Sequence, residues 1–139
     1  MVTGTVAERR QILAEADSED ILLTSYDLLK RDISEYEGYK FRCEIIDEAQ
    51  YIKNANTQAA KAVKEVQADF RLALTGTPVE NRLSELWSIF DYLMPGFLYS
   101  YKKFREEVEI PAVQNSDEDA MKRLQKMIRP FVLRRLKKE

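Results

Sequence analysis

Short apolar runs alternate with helical stripes along the first half of the chain. Ile21-Leu-Leu-Thr24, Phe41 to Ile46 and Arg71-Leu-Ala-Leu74 are apolar runs of strand length. Between them Tyr26, Leu29, Ile33 and Tyr36 recur at spacings of three, four and three, and Ala59, Val63 and Val66 make a second stripe. Both stripes predict helices with one apolar side. Gly38 punctuates the first. Upstream, Val2-Thr3 reads as the end of a short strand. Thr5-Val-Ala-Glu8 is a capping-box pattern ahead of Ile12, Leu13 and Ala16. Strand, helix, strand, helix, strand is the order of a βαβ fold. It predicts an α/β architecture, a parallel sheet whose strands are buried on both faces by helices.

The rhythm changes after Pro78, and strands stop. Leu83, Leu86, Trp87, Phe90, Leu93 and Met94 predict an amphipathic helix, capped by Ser84 and ended by Pro95-Gly96. A short aromatic helix is expected from Tyr101 to Val108, and a connector from Ile110 to Asn115. Ser116-Asp-Glu-Asp119 opens a further helix with Met121, Leu124 and Ile128 facing inward. FVLRRLKKE brings Arg134, Arg135, Lys137 and Lys138 together at the end. Residues 1–94 are therefore expected to form an α/β unit, and residues 95–139 an all-helical segment.

Composition narrows the choices. At 139 residues the chain is long enough to bury one core. Its net charge of −2 shows no basic excess, so strong nucleic-acid binding by this chain alone draws no support. Histidine is absent, which excludes His-based triads and most zinc sites. The single cysteine, Cys43, cannot form an internal disulfide, and its apolar setting predicts a buried structural thiol. No apolar stretch approaches the ~18 residues of a membrane span. MVTGTVAERR lacks the apolar core of a signal peptide. A soluble protein of a reducing compartment, or a piece of one, is expected.

In a parallel α/β sheet, ligands bind beyond the carboxyl ends of the strands. Three short stretches fall there: Thr24-Ser25, Asp47-Glu48-Ala49-Gln50 and Thr75-Gly76-Thr77-Pro78. An aspartate at a strand tip can hold Mg²⁺ directly or through water, and a glutamate beside it can orient or deprotonate an attacking water. Asp47-x-x-Gln50 is also a capping pattern, so Asp47 alternatively caps the next helix. Gly76 allows a backbone conformation that a Cβ would oppose, and Pro78 stops the strand. A plain turn explains those two residues, whereas two threonine hydroxyls also suit a hydrogen-bond relay. Thr24-Ser25 reads either as a helix N-cap or as a phosphate-backbone contact.

Taken together these residues resemble a known family. IIDEAQYIKN is similar to the Walker B motif of superfamily-two helicase-like ATPases in the DEAQ spelling, and LTGTPVEN to their motif III. ILLTSYDLLKRD and FVLRRLKKE resemble segments of SWI/SNF-type DNA translocases, so the likeness runs from about Ile21 to Lys138. It implies the back half of the first RecA-like motor lobe, with ATP and Mg²⁺ as cofactors and double-stranded DNA as partner. Asp47 would hold Mg²⁺, Glu48 would activate the hydrolytic water, and Gln50 would couple the nucleotide site to the neighbouring lobe. Thr75, Gly76 and Thr77 would link hydrolysis to DNA contact. Thr24 and Ser25 would touch the phosphate backbone, and Arg134 and Arg135 would meet DNA or the second lobe. DEAD-box RNA helicases usually carry Ser-Ala-Thr at motif III, and Thr75-Gly76-Thr77 departs from that.

A phosphate-binding loop needs G-x-x-x-x-G-K-[ST]. Five residues after Gly4, Gly38, Gly76 and Gly96 stand Arg9, Cys43, Asn81 and Tyr101, so the motif is absent. The expectation is a fragment of a DNA-translocating ATPase, inactive alone, lacking the N-terminal half of its lobe and the second lobe. Self-association or domain swapping through the open surface is expected, as is location in the nucleus of a eukaryote or with the nucleoid of a prokaryote. The alternatives are a non-enzymatic α/β interaction module and a fragment of an RNA-directed helicase.

Overall fold

The computed structural model describes residues 1–76 and 82–137. It divides into two compact units, Met1–Pro95 and Gly96–Glu139.

In the first unit, α1 (Val6–Glu15) starts at Thr5 with the capping box formed. The Glu8 N–H donates to Thr5 Oγ1 at 3.2 Å, and the Thr5 N–H to the Glu8 carboxylate at 2.6 Å. Gly4 precedes it at φ +93°, where a Cβ would run into the Glu8 carboxylate, so the turn needs glycine. Arg9 on α1 is buried and grips the Asp32 carboxylate at the end of α2 (Tyr26–Asp32), at 2.5 and 2.8 Å. That guanidinium holds Asp32 below the usual carboxylate range. After α2 a 3₁₀ turn over Ile33–Tyr36 carries the predicted stripe onward, with Leu29 and Tyr36 buried.

β1 (Lys40–Ile46) and β2 (Gln67–Ala73) lie parallel, in a register that pairs Glu44 with Arg71, Ile45 with Leu72 and Ile46 with Ala73. Between them Thr57 caps α3 (Gln58–Glu65), its Oγ1 accepting the Ala60 N–H at 3.2 Å. α4 (Leu83–Leu93) completes the unit and is tied to α3 by Lys64–Asp91 at 2.7 Å. One core joins Leu13, Leu29, Ile46, Ile52, Val63, Ile89 and Tyr92, with Ala73 of β2 packed against it.

The structure corrects several expectations here. Among the described residues the sheet has two strands rather than three. Residues 21–25 form no ladder; Val2 N–H donates to the Leu23 carbonyl at 2.8 Å, a single bond that makes neither segment a strand. The expected burial of both sheet faces is also not met, because Ile45, Phe70 and Leu72 are each more than half exposed. Cys43 is half-buried, not enclosed. Ser84 lies inside α4 instead of capping it, since the helix starts at Leu83, whose side chain is buried.

The second unit is helical. α5 (Tyr101–Phe104), a π turn over Arg105–Glu109 and α6 (Ile110–Val113) make one continuous run, where the sequence predicts a short helix and then a connector. Pro111 lies inside this run, where it has no N–H to donate, and the widened turn before it lets the helix continue past it. α7 (Glu118–Ile128) is capped by Asp117, which accepts from the Asp119 and Ala120 N–H groups, and it buries Ala120, Leu124 and Ile128. No helix among the described residues is long and apolar enough to cross a membrane.

Candidate functional site

The turns that follow β1 and β2 are laced together. Leu74 N–H donates to the Ile46 carbonyl at 2.9 Å, and Ala49 N–H donates to the Leu74 carbonyl at 2.8 Å. The segments 47–50 and 74–76 therefore meet at the carboxyl end of the strands, where parallel sheets place ligands.

Beyond Asp47 the chain reverses sharply. Glu48 takes the left-handed conformation (φ 51°, ψ 52°), at a cost of about 1–2 kcal/mol for a residue with a Cβ. Such strain persists where the surroundings over-determine it. Ala49–Ile52 then forms a 3₁₀ turn anchored by the fully buried Ala49 and Ile52. Asp47 does not cap this turn as the Asp-x-x-Gln pattern suggests. Its Oδ1 accepts the N–H of the adjacent Glu48 at 2.8 Å, and Glu48 itself occupies the cap position.

Side chains extend the connection. Thr75 Oγ1 donates to Gln50 Oε1 at 3.2 Å, and Gln50 Nε2 donates to the Glu48 carboxylate. A hydroxyl on the β2 turn thus reaches the strand-end glutamate through one amide. From α4, the buried Ser88 hydroxyl donates to the Ile52 carbonyl at 2.5 Å. From α2, the Tyr26 hydroxyl donates to the Asp47 carbonyl at 2.6 Å, and its ring stacks on Tyr51 with centroids 5.2 Å apart. Burial, then the nearby Asp47, Glu44 and Glu48 carboxylates, push the Tyr26 phenol up to about 12.

The third predicted segment adjoins this cluster through Tyr26. Ser25 caps α2, its Oγ accepting the Leu28 N–H at 3.2 Å. The Thr24 hydroxyl is buried, so the segment presents Ser25 and backbone to solvent rather than the Thr24 side chain. Gly76 departs from expectation: its φ lies outside the left-handed region, and a Cβ there would meet nothing within 4 Å among the described residues. Thr77 and Pro78 lie outside the described residues. Arg134 and Arg135 belong to the second unit, exposed and outside regular structure.

Among the described residues no group of three or more acidic or cysteine side chains could hold a metal by itself. Asp47 offers an exposed carboxylate at a strand end. That donor suits a hard divalent ion which keeps waters and takes its remaining oxygens from a phosphate.

Sequence reasoning missed Tyr26, Ser88 and Glu44 because their spacing or surroundings read as apolar core. Glu44 lies one residue pair back from the site on β1, opposite Arg71. Both its carboxylate oxygens are buried without a hydrogen-bond partner among the described residues. Burial pushes its pKa up to about 7, only partly offset by Tyr92 and Arg71. The Nη groups of Arg71 donate to the Tyr92, Lys64 and Val66 carbonyls, each at 2.8 Å, while its Nε is buried without a hydrogen-bond partner among the described residues. The available signal was a lone carboxylate inside an apolar strand run.

A parallel strand pair with its candidate site at the carboxyl edge, packed against helices, is the architecture of the RecA-like core of helicase-like ATPases. More particularly, the chain belongs to the SNF2-related domain family, whose family model matches residues 2–139. It is 42% identical over 134 residues to an uncharacterized ATP-dependent helicase of Mycoplasma genitalium, covering 96% of this chain and 12% of that protein. It is 40% identical over 147 residues to the TATA-binding protein-associated factor MOT1 of Saccharomyces cerevisiae, covering 98% of this chain and 8% of MOT1. Its structure matches the Sulfolobus solfataricus SWI2/SNF2 ATPase core solved in complex with double-stranded DNA, with a TM-score of 0.81 and 43% identity. That match covers 91% of this chain and 26% of the Sulfolobus chain, so the chain spans a small part of the relatives it matches.

Proposed function

We propose that this chain supplies the Walker B and motif III parts of the first motor lobe of an ATP-driven double-stranded DNA translocase that remodels nucleoprotein complexes. The observation that carries the reading is the Thr75–Gln50–Glu48 hydrogen-bond chain, which joins the ends of two parallel strands at one edge. In this reading Asp47 would help to hold a Mg²⁺ ion, which when bound would supply positive charge to the ATP phosphates. Glu48 accepts a proton from the water that attacks the γ-phosphate. Gln50 fixes the Glu48 carboxylate, and Thr75, Gly76 and Thr77 tie hydrolysis to engagement of DNA. Ser25, the backbone at Thr24, and Arg134 and Arg135 meet DNA phosphates, so binding is salt-sensitive and largely sequence-blind.

The phosphates need a cradle that this chain does not encode, so hydrolysis calls for a phosphate-binding loop and a second lobe from outside it. The test is ATP turnover by the full-length protein that carries the chain. Duplex DNA is expected to stimulate it, and RNA is not. Glu48→Gln is expected to lower stimulated turnover about 100-fold or more, the usual worth of a general base. Undiminished turnover in Glu48→Gln, or turnover by the 139-residue chain alone, overturns the proposal.

A further inference from the structure

We propose that the Tyr26 hydroxyl is a positioning group that ties the Thr24–Ser25 segment to the backbone conformation of Glu48, so that a phosphate engaged at that segment changes how Glu48 is presented for hydrolysis. The inference rests on the reading of the site given above and adds a residue and a route to it.

The geometry concerns one peptide group. The link between Asp47 and Glu48 is held at both ends: its carbonyl accepts from Tyr26 at 2.6 Å, and its N–H donates to Asp47 Oδ1 at 2.8 Å. The plane of that peptide sets ψ of Asp47 and φ of Glu48. Glu48 is the residue held left-handed at φ 51°. The other anchors of the turn grip elsewhere, Ser88 at the Ile52 carbonyl and Leu74 at the Ala49 N–H. Only Tyr26 reaches the 47–48 carbonyl from outside the turn among the described residues.

Tyr26 is also the first residue of α2, next to its cap Ser25. Ser25 Oγ already serves the Leu28 N–H, so a phosphate oxygen that recruits Ser25 disturbs the turn on which Tyr26 stands. The Tyr26 ring is steadied by its stack on Tyr51, with an interplanar angle of 21°, which keeps the hydroxyl aimed at its acceptor. Packing alone needs only a ring at this position, whereas the link needs the oxygen.

Tyr26→Phe separates these roles, since it keeps the ring and removes the hydroxyl. In the full-length protein, the ratio of duplex-stimulated to unstimulated turnover is expected to fall about tenfold, carried by kcat. The KM for ATP, the Kd for duplex and the melting temperature are expected to stay near wild type. Tyr51→Phe, which keeps the stack, is expected to match wild type. A wild-type ratio in Tyr26→Phe overturns the inference, and so does a loss accompanied by a raised KM and lowered melting temperature, which marks a structural role. If wild type is not stimulated by duplex, or Glu48→Gln is fully active, the proposed function falls and takes this link with it. If those two results hold and Tyr26→Phe alone keeps its ratio, only the link falls.

Discussion

The two faces of the β1–β2 sheet divide the chemistry of this molecule unevenly. Alternation puts Glu44, Ile46, Arg71 and Ala73 on one face and Ile45, Phe70 and Leu72 on the other. The first face carries a carboxylate and a guanidinium, yet it is sealed by α3, α4 and the DEAQ turn. The second is apolar, yet Ile45 is 59% exposed and Phe70 57%. Residue polarity alone does not say which side of a parallel strand is covered. Cover depends on which chain segments are present to pack there.

The sharpest way to break this comparison uses neighbours on one strand. Ile46→Ala is expected to cost about 3 kcal/mol, because it opens a cavity under helices that cannot collapse fully. Ile45→Ala, one residue earlier, is expected to change stability by less than about 0.5 kcal/mol. Urea unfolding of both at low protein concentration reads the difference. Equal costs would mean that the second face is packed in solution.

Glu44 sharpens the same contrast through pH. Its pKa is raised from 4.5 to about 7 in the folded state, so the folded chain binds this proton more tightly than the unfolded chain does. The resulting stability is fully present below about pH 4 and is lost as pH rises through about 7. Glu44→Gln removes the buried charge while keeping the shape. After discounting for residual solvent access, it is expected to stabilise the chain by about 2 kcal/mol at pH 8 and by little at pH 4.5. The contribution of Asp32 runs the other way: its lowered pKa gives stability above its unfolded value that fades on acidification. Thermal melts of wild type and Glu44→Gln from pH 4.5 to 8 would separate the two. An unchanged slope in the variant would place the Glu44 carboxylate in water.

Much of this arrangement was legible in the chain. The Thr5–Glu8 capping box, the stripe on α2 and the two strands that pair are local patterns, and local hydrogen bonds or one-sided burial realise them. Asp47, Glu48, Gln50 and Thr75 were findable because polar residues at strand ends are few, and parallel topology brings such ends together. What escaped depends on distant partners. Ile21 to Thr24 has the composition of a strand, but a ladder needs a neighbour, and Val2 supplies one bond. Ile110 to Asn115 reads as a connector, but a widened turn carries the helix on to Val113. Tyr26 and Ser88 act through backbone carbonyls 21 and 36 residues away in sequence, which no spacing rule reveals.

The smallest expected change in folding free energy belongs to the bare face, and it carries the largest change in association. Ile45 lies in register with Leu72, and Phe70 and the half-exposed Leu74 extend the strip along β2 on either side. A contiguous apolar strip on a sheet face is a surface that water disfavours and a second copy can cover. The isolated chain is therefore expected to self-associate as its concentration rises, burying the strip between copies. Phe70→Lys places a charge in the strip at a residue that is more than half exposed and outside the core cluster, so its monomer stability is expected to stay within about 0.5 kcal/mol of wild type. Sedimentation velocity over a concentration series reads the outcome. Wild type is expected to shift to larger species while Phe70→Lys remains monomeric. A wild-type chain that stays monomeric throughout would mean that exposed apolar area of this extent is tolerated, and the contrast between the faces would then be one of packing alone.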